Sequence, residues 1–195
     1  MWAATEMILR GWAVAEQGPG EEGIVQVSQG LVALRATGAE ELRSYFLALV
    51  AEAYEKVGQP EDALNVLAEA LAFVDKTGER FYEAELYRLK GALLLQQFKG
   101  QGSQLDVKSS SECEVRRSES EAEECFLKAI EIARRQQAKS LELRATVSLA
   151  RLWQRQEKHH AAHDTLSKIY GWFTEGFDTA DLQEAKALLE TLHAV

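Results

Sequence analysis

In the stretch KHHAAHD, His159 and His163 stand four residues apart, as do His160 and Asp164. On a helix that spacing stacks two ligand-type side chains on one face, the arrangement from which a metal centre is built. A zinc site needs three or four converging ligands, and no third is identifiable nearby. The reading preferred for these residues is a solvated helix start. A second constellation is basic. Arg144, Arg151 and Arg155 are separated by 7 and 4 residues, one stripe of a helix, and guanidinium groups so aligned can grip carboxylates bidentately. They belong to a wider run from Arg134 to Lys158 with seven basic residues (134, 135, 139, 144, 151, 155, 158) against two acidic ones (142, 157).

Beyond these, the chemistry thins out. The chain has no GxxxxGK[ST] loop, no GxGxxG after a strand and no carboxylate pair in a strand context that would hold a metal for nucleotide chemistry. No serine or cysteine has a base partner readable from sequence. The expectation is a noncatalytic protein without cofactors.

The elements that must position the arginines are helical. Strong helix formers dominate, only two prolines occur among 195 residues, and runs of β-branched residues bounded by turns are missing. A hydrophobic share of 46% and a charged share of 27% are ordinary for a globular chain. The N-terminal stretch carries Glu6 and Arg10 where a signal core would need apolar residues, so no signal peptide or membrane span is visible and a cytoplasmic location is expected. Cys113 and Cys125 form no disulfide framework. The net charge of −9 disfavours nonspecific binding to nucleic acid or anionic lipid over the whole surface, leaving only the local 134–158 patch for an anion or nucleic acid.

A repeat organises these helices. Gly11 and Ala51, Gly23 and Ala63, Gly30 and Ala70, and Ala122 and Ala162 are all 40 apart, as are Gly18 and Gly58, and Gly38 and Gly78. Ala51 leads to Gly91 after 40 more, and Gly91 to Ala150 after 59, which is 40 plus 19. Helices approach closely only where one presents a small residue to the other, so small residues returning at a fixed interval mark stacked helix pairs. The pairs are expected over about 2–37, 40–76, 79–137 and 139–173, with a capping helix over 178–193. The extra length falls in the Gly- and Ser-rich stretch 99–117, expected to be a flexible insertion. Gly18, Gly38, Gly58 and Gly78 are expected to end helices at positive φ, Pro60 to open one, Ser118 with Glu121 or Ser120 with Glu123 to cap the helix after the insertion, and Asp178 to cap the last.

The residues Leu47, Tyr54, Gly58, Ala63, Leu67 and Ala70 resemble the tetratricopeptide pattern, although the period here is 40 and not 34 and no proline closes a repeat. Together with ERFYEAELYRLKGALLL and IYGWFTEGFDTADLQEAKALLETL, the longer unit resembles the C-terminal repeat region of bacterial multidomain signalling proteins that carry a signal-transduction ATPase and often an adenylate/guanylate cyclase domain upstream. The resemblance implies an all-α, right-handed superhelix serving as a docking arm for a protein or peptide partner, or for other domains of a larger parent chain. It also implies that the first helix of each pair lines the concave face. Counting from the small residue at each helix centre then puts Tyr45, Glu52 and Glu55, Glu85 and Arg88, and Arg144, Arg151 and Arg155 in a partner groove. For any single arginine of that set, pairing with a neighbouring glutamate is the plainer expectation. Trp153, Trp172, Phe173 and Phe177 are expected to seal the core against the last helix. Trp2 and Trp12 are expected to lie uncovered, as a face for a further repeat or for a homodimer.

Overall fold

The computed structural model describes residues 2–18, 21–38, 40, 42–101 and 110–193. These residues form nine helices and no strand: α1 (Trp2–Gln17), α2 (Glu21–Thr37), α3 (Arg43–Lys56), α4 (Pro60–Thr77), α5 (Glu83–Gln101), α6 (Ser110–Arg135), α7 (Lys139–Arg155), α8 (His159–Tyr170) and α9 (Ala180–His193). They pack as antiparallel pairs, α1 with α2, α3 with α4, α5 with α6 and α7 with α8.

The small residues of the 40-residue period sit where the helices cross. A Cβ on Gly11 would stand 2.7 Å from the Gly23 carbonyl oxygen, and one on Gly23 would stand 2.8 Å from that of Gly11, so the first pair touches backbone to backbone. A Cβ on Gly91 would meet the Phe126 ring at 2.6 Å. In the corresponding places Ala51, Ala63, Ala70, Ala122, Ala150 and Ala162 are fully buried. Each pair therefore closes around a small-residue seam that larger side chains fill from both sides.

Successive pairs stack unevenly. The backbones of α1 and α3, of α3 and α5, and of α5 and α7 approach within 8 Å, while those of α2 and α4, α4 and α6, and α6 and α8 do not. First helices that lie closer together than second helices make the inner layer of a curved stack. Beyond the fourth pair, α9 packs on both α7 and α8 and buries Leu182, Ala185, Leu188 and Leu192 against Leu143, Val147, Leu166 and Ile169. It occupies the place a fifth first helix would take, covering an end that would otherwise be apolar.

Several local features differ from expectation. Helix α6 begins at Ser110, within the stretch expected to be a flexible insertion, and α5 runs on to Gln101; residues 102–109 lie outside the described residues. The buried stripe of α6 starts only at Ser118 and Ala122, and residues 113–117 are all exposed, so the first two turns carry no apolar periodicity. Within them Arg117 Nε forms an i,i+4 pair with Glu121 at 3.0 Å. Ser118 accordingly is no cap: it is buried mid-helix, its hydroxyl donating to the Val115 carbonyl at 2.9 Å. Before α9, Asp178 offers its backbone carbonyl to Gln183 Nε2, while the Thr179 hydroxyl closes on the Gly176 carbonyl.

At the helix ends, Gly38, Gly58 and Gly78 take positive φ, with Gly176, but Gly18 does not. Where the period would place further glycines, Gln137 (φ 57°) and Glu157 (φ 60°) adopt the same left-handed turn. The hydrogen bonds match: Gln59 N–H donates to Tyr54 O, Ala138 N–H to Ala133 O and Lys158 N–H to Trp153 O, each at 2.8–2.9 Å. The backbone motif forms here without the residue that best suits it.

Candidate functional site

Three adjoining cavities run along the inner layer, all bordered by Arg88. The first, about 570 Å3, lies between α1, α3 and α5 and is walled by Trp12, Glu16, Glu52, Glu55 and Lys56. The second, about 200 Å3, is bounded by Arg144, Arg151, Asp181 and Glu184, bringing α9 to the rim. The third, about 580 Å3, has an apolar floor of Ala92, Leu95 and Phe126 beneath Glu55, Arg151 and Arg155. Together they form one groove whose lining comes from the first helices and the last, with Phe126 reaching in from α6.

The register explains which side chains meet. Tyr45, Glu85 and Arg144 occupy equivalent positions, 40 and 59 residues apart, as do Trp12, Glu52 and Arg151 at 40 and 99. Helices stacked side by side in that register point equivalent side chains at one another. Trp12 Nε1 donates to Glu52 Oε2 at 3.0 Å. Glu85, with no exposed side-chain surface, accepts from Arg88 Nη2 at 2.7 Å and lies 3.0 Å from Arg144 Nη2. Its other oxygen is buried without a hydrogen-bond partner among the described residues. Arg144 also reaches Asp181 at 4.0 Å, Arg88 reaches Glu52 at 4.0 Å, and Arg151 pairs with Glu184 at 2.9 Å.

Burial shifts the titration of these groups. It raises the Glu52 carboxyl, helped by the neighbouring Glu85 and opposed by Arg88 and the Trp12 hydrogen bond. It raises Glu55 too, against the pull of Arg88 and Lys56. Burial opposes the charge on Arg88, yet Glu85, Glu52 and Glu55 outweigh it and hold the guanidinium protonated. Tyr82, buried near Glu85 and Glu52, is pushed up to about 12 and remains a neutral phenol in contact with Arg144.

Of the residues expected in the groove, Glu52, Glu55, Arg88, Arg144, Arg151 and Arg155 border the cavities. Glu85 lies beneath them as the carboxylate shared by two arginines. Tyr45 borders none of the three cavities: its ring packs edge-on against Tyr82, on the loop just before α5, with centroids 5.1 Å apart. Sequence reasoning missed Trp12, Tyr82, Asp181 and Glu184. Trp12 was signalled by its distance of 40 from Glu52. The acidic pair on α9 was signalled only by facing arginines, which no periodicity reveals.

The remaining expectations sort by burial. Trp12 is half-buried, not uncovered, because Glu52 holds its indole; Trp2 is 82% exposed. Trp153 and Phe173 pack on the last core cluster, but Trp172 and Phe177 are exposed, on the loop that carries the chain into α9. The basic run is largely neutralised: Arg134 and Lys139 hold Glu142 at 2.7 Å each, Lys158 lies 3.5 Å from Glu123, and Arg135 3.9 Å from Glu131. At the histidines, His163 lies beside His193, rings tilted by 33° with centroids 5.7 Å apart, and no group of three or more metal-ligating side chains converges among the described residues. No described helix is long and apolar enough to cross a membrane.

No family model matches the chain, and no curated protein matches it in sequence. Among solved structures it is similar to the nearly identical TPR-like repeats of a kinesin light chain candidate from Podosopora anserina, at 18% identity and a TM-score of 0.60, covering 100% of this chain and 96% of that one. The fold is thus a tetratricopeptide-like helical solenoid.

Proposed function

We propose that the protein is a noncatalytic docking scaffold whose inner groove receives a protein or peptide partner. The observation that carries this reading is the groove itself: three contiguous cavities, lined by every first helix and by α9, with both signs of charge around an apolar floor. Concave, mixed-charge surfaces built from successive repeats are how solenoids present extended binding faces. The 40-residue unit further supports placing the chain as the C-terminal docking arm of a bacterial signalling ATPase or cyclase-type regulator. A band far above 21.8 kDa in an immunoblot of the source cells supports that parent; a band at 21.8 kDa removes it.

The groove is tested with a photo-crosslinking residue placed in turn at Gln96, at Ser148 and, on the outer layer, at the exposed Asn65. Groove probes should capture one discrete partner in the source cells, and the Asn65 probe should not. Arg151→Glu combined with Arg155→Glu should abolish that capture while leaving the thermal transition in place, since both side chains are exposed. Equal capture from the outer layer, or capture that survives the double reversal, removes the groove as the docking face.

The anion-binding alternative finds less support, because the basic run expected to carry it is tied up in ion pairs.

A further inference from the structure

The groove's charges are nearly all spoken for within the molecule. Its carboxylates meet partners from the Glu16–Lys56 pair at 3.2 Å at one end to the Glu184–Arg151 pair at 2.9 Å at the other. Among the described residues lining it, one carboxylate and one guanidinium have no ion pair within 4 Å: Glu55 and Arg155. Both border the same cavity of about 580 Å3, across a floor of Ala92, Leu95 and Phe126. It is an open depression, of a size to seat one side chain and its flanking charges and not to enclose a small molecule. Glu55 is half-buried without an ion pair, and burial raises its carboxyl because the more distant Arg88 and Lys56 offset that burial only in part. A half-buried carboxylate without a partner is a cost to the free protein that an incoming cation would relieve.

Resting on the docking reading above, we infer that this cavity is the anchor site of the groove. It takes a partner segment in which an apolar side chain is flanked by a cation and a carboxylate, the cation meeting Glu55, the apolar group the floor, and the carboxylate Arg155. Arg151, half engaged by Glu184, adds to the basic wall. A segment with two like charges leaves one of the two wall charges opposed by its own sign, which is how such a site rejects as well as selects.

Fluorescein-labelled peptides on one Gly-Ser frame, carrying Lys-Leu-Glu, Glu-Leu-Glu or Lys-Leu-Lys, test this by anisotropy with the intact chain. The Lys-Leu-Glu peptide should bind about tenfold more tightly than either like-charged peptide. Glu55→Lys should move the preference to Glu-Leu-Glu, and Arg155→Glu to Lys-Leu-Lys. Equal binding of all three peptides, preferences unmoved by the two reversals, or no binding of Lys-Leu-Glu up to about 1 mM overturns the anchor assignment. Should that happen while the Gln96 and Ser148 probes still capture their partner, the docking reading stands without it; loss of groove capture removes both.

Discussion

Arg88 and Arg151 line the same groove and have opposite weights in stability. Arg88 is mostly buried and holds Glu85, whose side chain has no exposure at all, while Arg151 meets Glu184 with 59% of its side chain open to water. Removing one member of a buried pair strands the other, at about 3 kcal/mol, whereas an exposed pair contributes about 0–1 kcal/mol. Arg144 still holds Glu85 at 3.0 Å when Arg88 is removed, so urea denaturation of Arg88→Met should show a loss of about 2 kcal/mol, short of full stranding, and of Arg151→Glu a change near zero. Equal losses would mean that Glu85 is hydrated. The carboxyls make a second prediction. Because Glu52 and Glu55 are raised in the folded protein, the folded state keeps protons that the unfolded chain has released, so stability falls as pH rises from the usual glutamate value through the raised ones. Glu69 and Glu142 behave oppositely. Burial raises them, but the hydrogen bonds from Arg35 and Arg43, and from Arg134 and Lys139, prevail and lower them, and that stability is lost as pH falls through the lowered values. Thermal melts from about pH 5 to about pH 8 should fall with pH in the parent and be flatter in the Glu52→Gln, Glu55→Gln double variant; unchanged slopes would place the decline elsewhere.

Among the helices, what was legible in the sequence was whatever repeats. The seams announced themselves because glycine and alanine return every 40 residues, whereas the start of α6 gave no such signal. There residues 113–117 are all exposed, and a solvated polar helix and a solvated loop have the same composition. The charge partners were illegible for a different reason. Glu85 and Arg144 are separated by 59 residues and meet only because α5 and α7 lie side by side, and nothing in either residue's neighbours says which of several glutamates an arginine will choose. The seam and the turns make contrasting predictions. Gly91→Ala drives a methyl into the Phe126 ring and should lower stability by about 2 kcal/mol despite alanine's better helix propensity, with Phe126→Leu restoring part of it. Gln137→Gly relieves a left-handed residue and should raise stability by about 0.5 kcal/mol, read as a shift in the urea midpoint. A Gln137→Gly variant less stable than the parent would mean that its side chain contributes more than its backbone costs.

Over the whole molecule, each element touches only elements one or two places away in the chain. The stack is thus held by local interfaces, and α9 closes it by imitating the inner helix of a repeat that does not follow among the described elements. The interval between equivalent inner positions has a consequence for how the chain assembles. Trp12 and Glu52 meet across 40 residues, whereas Glu85 and Arg144, in the same layer, meet across 59. The entropy of closing a chain segment grows only with the logarithm of its length, so those 19 additional residues add about 0.3 kcal/mol to the closure of α5 onto α7. One glutamate held by two arginines outweighs that several times over. The connection between α5 and α6 is therefore where added length costs the fold least stability, in contrast to the seams, where not even a methyl has room.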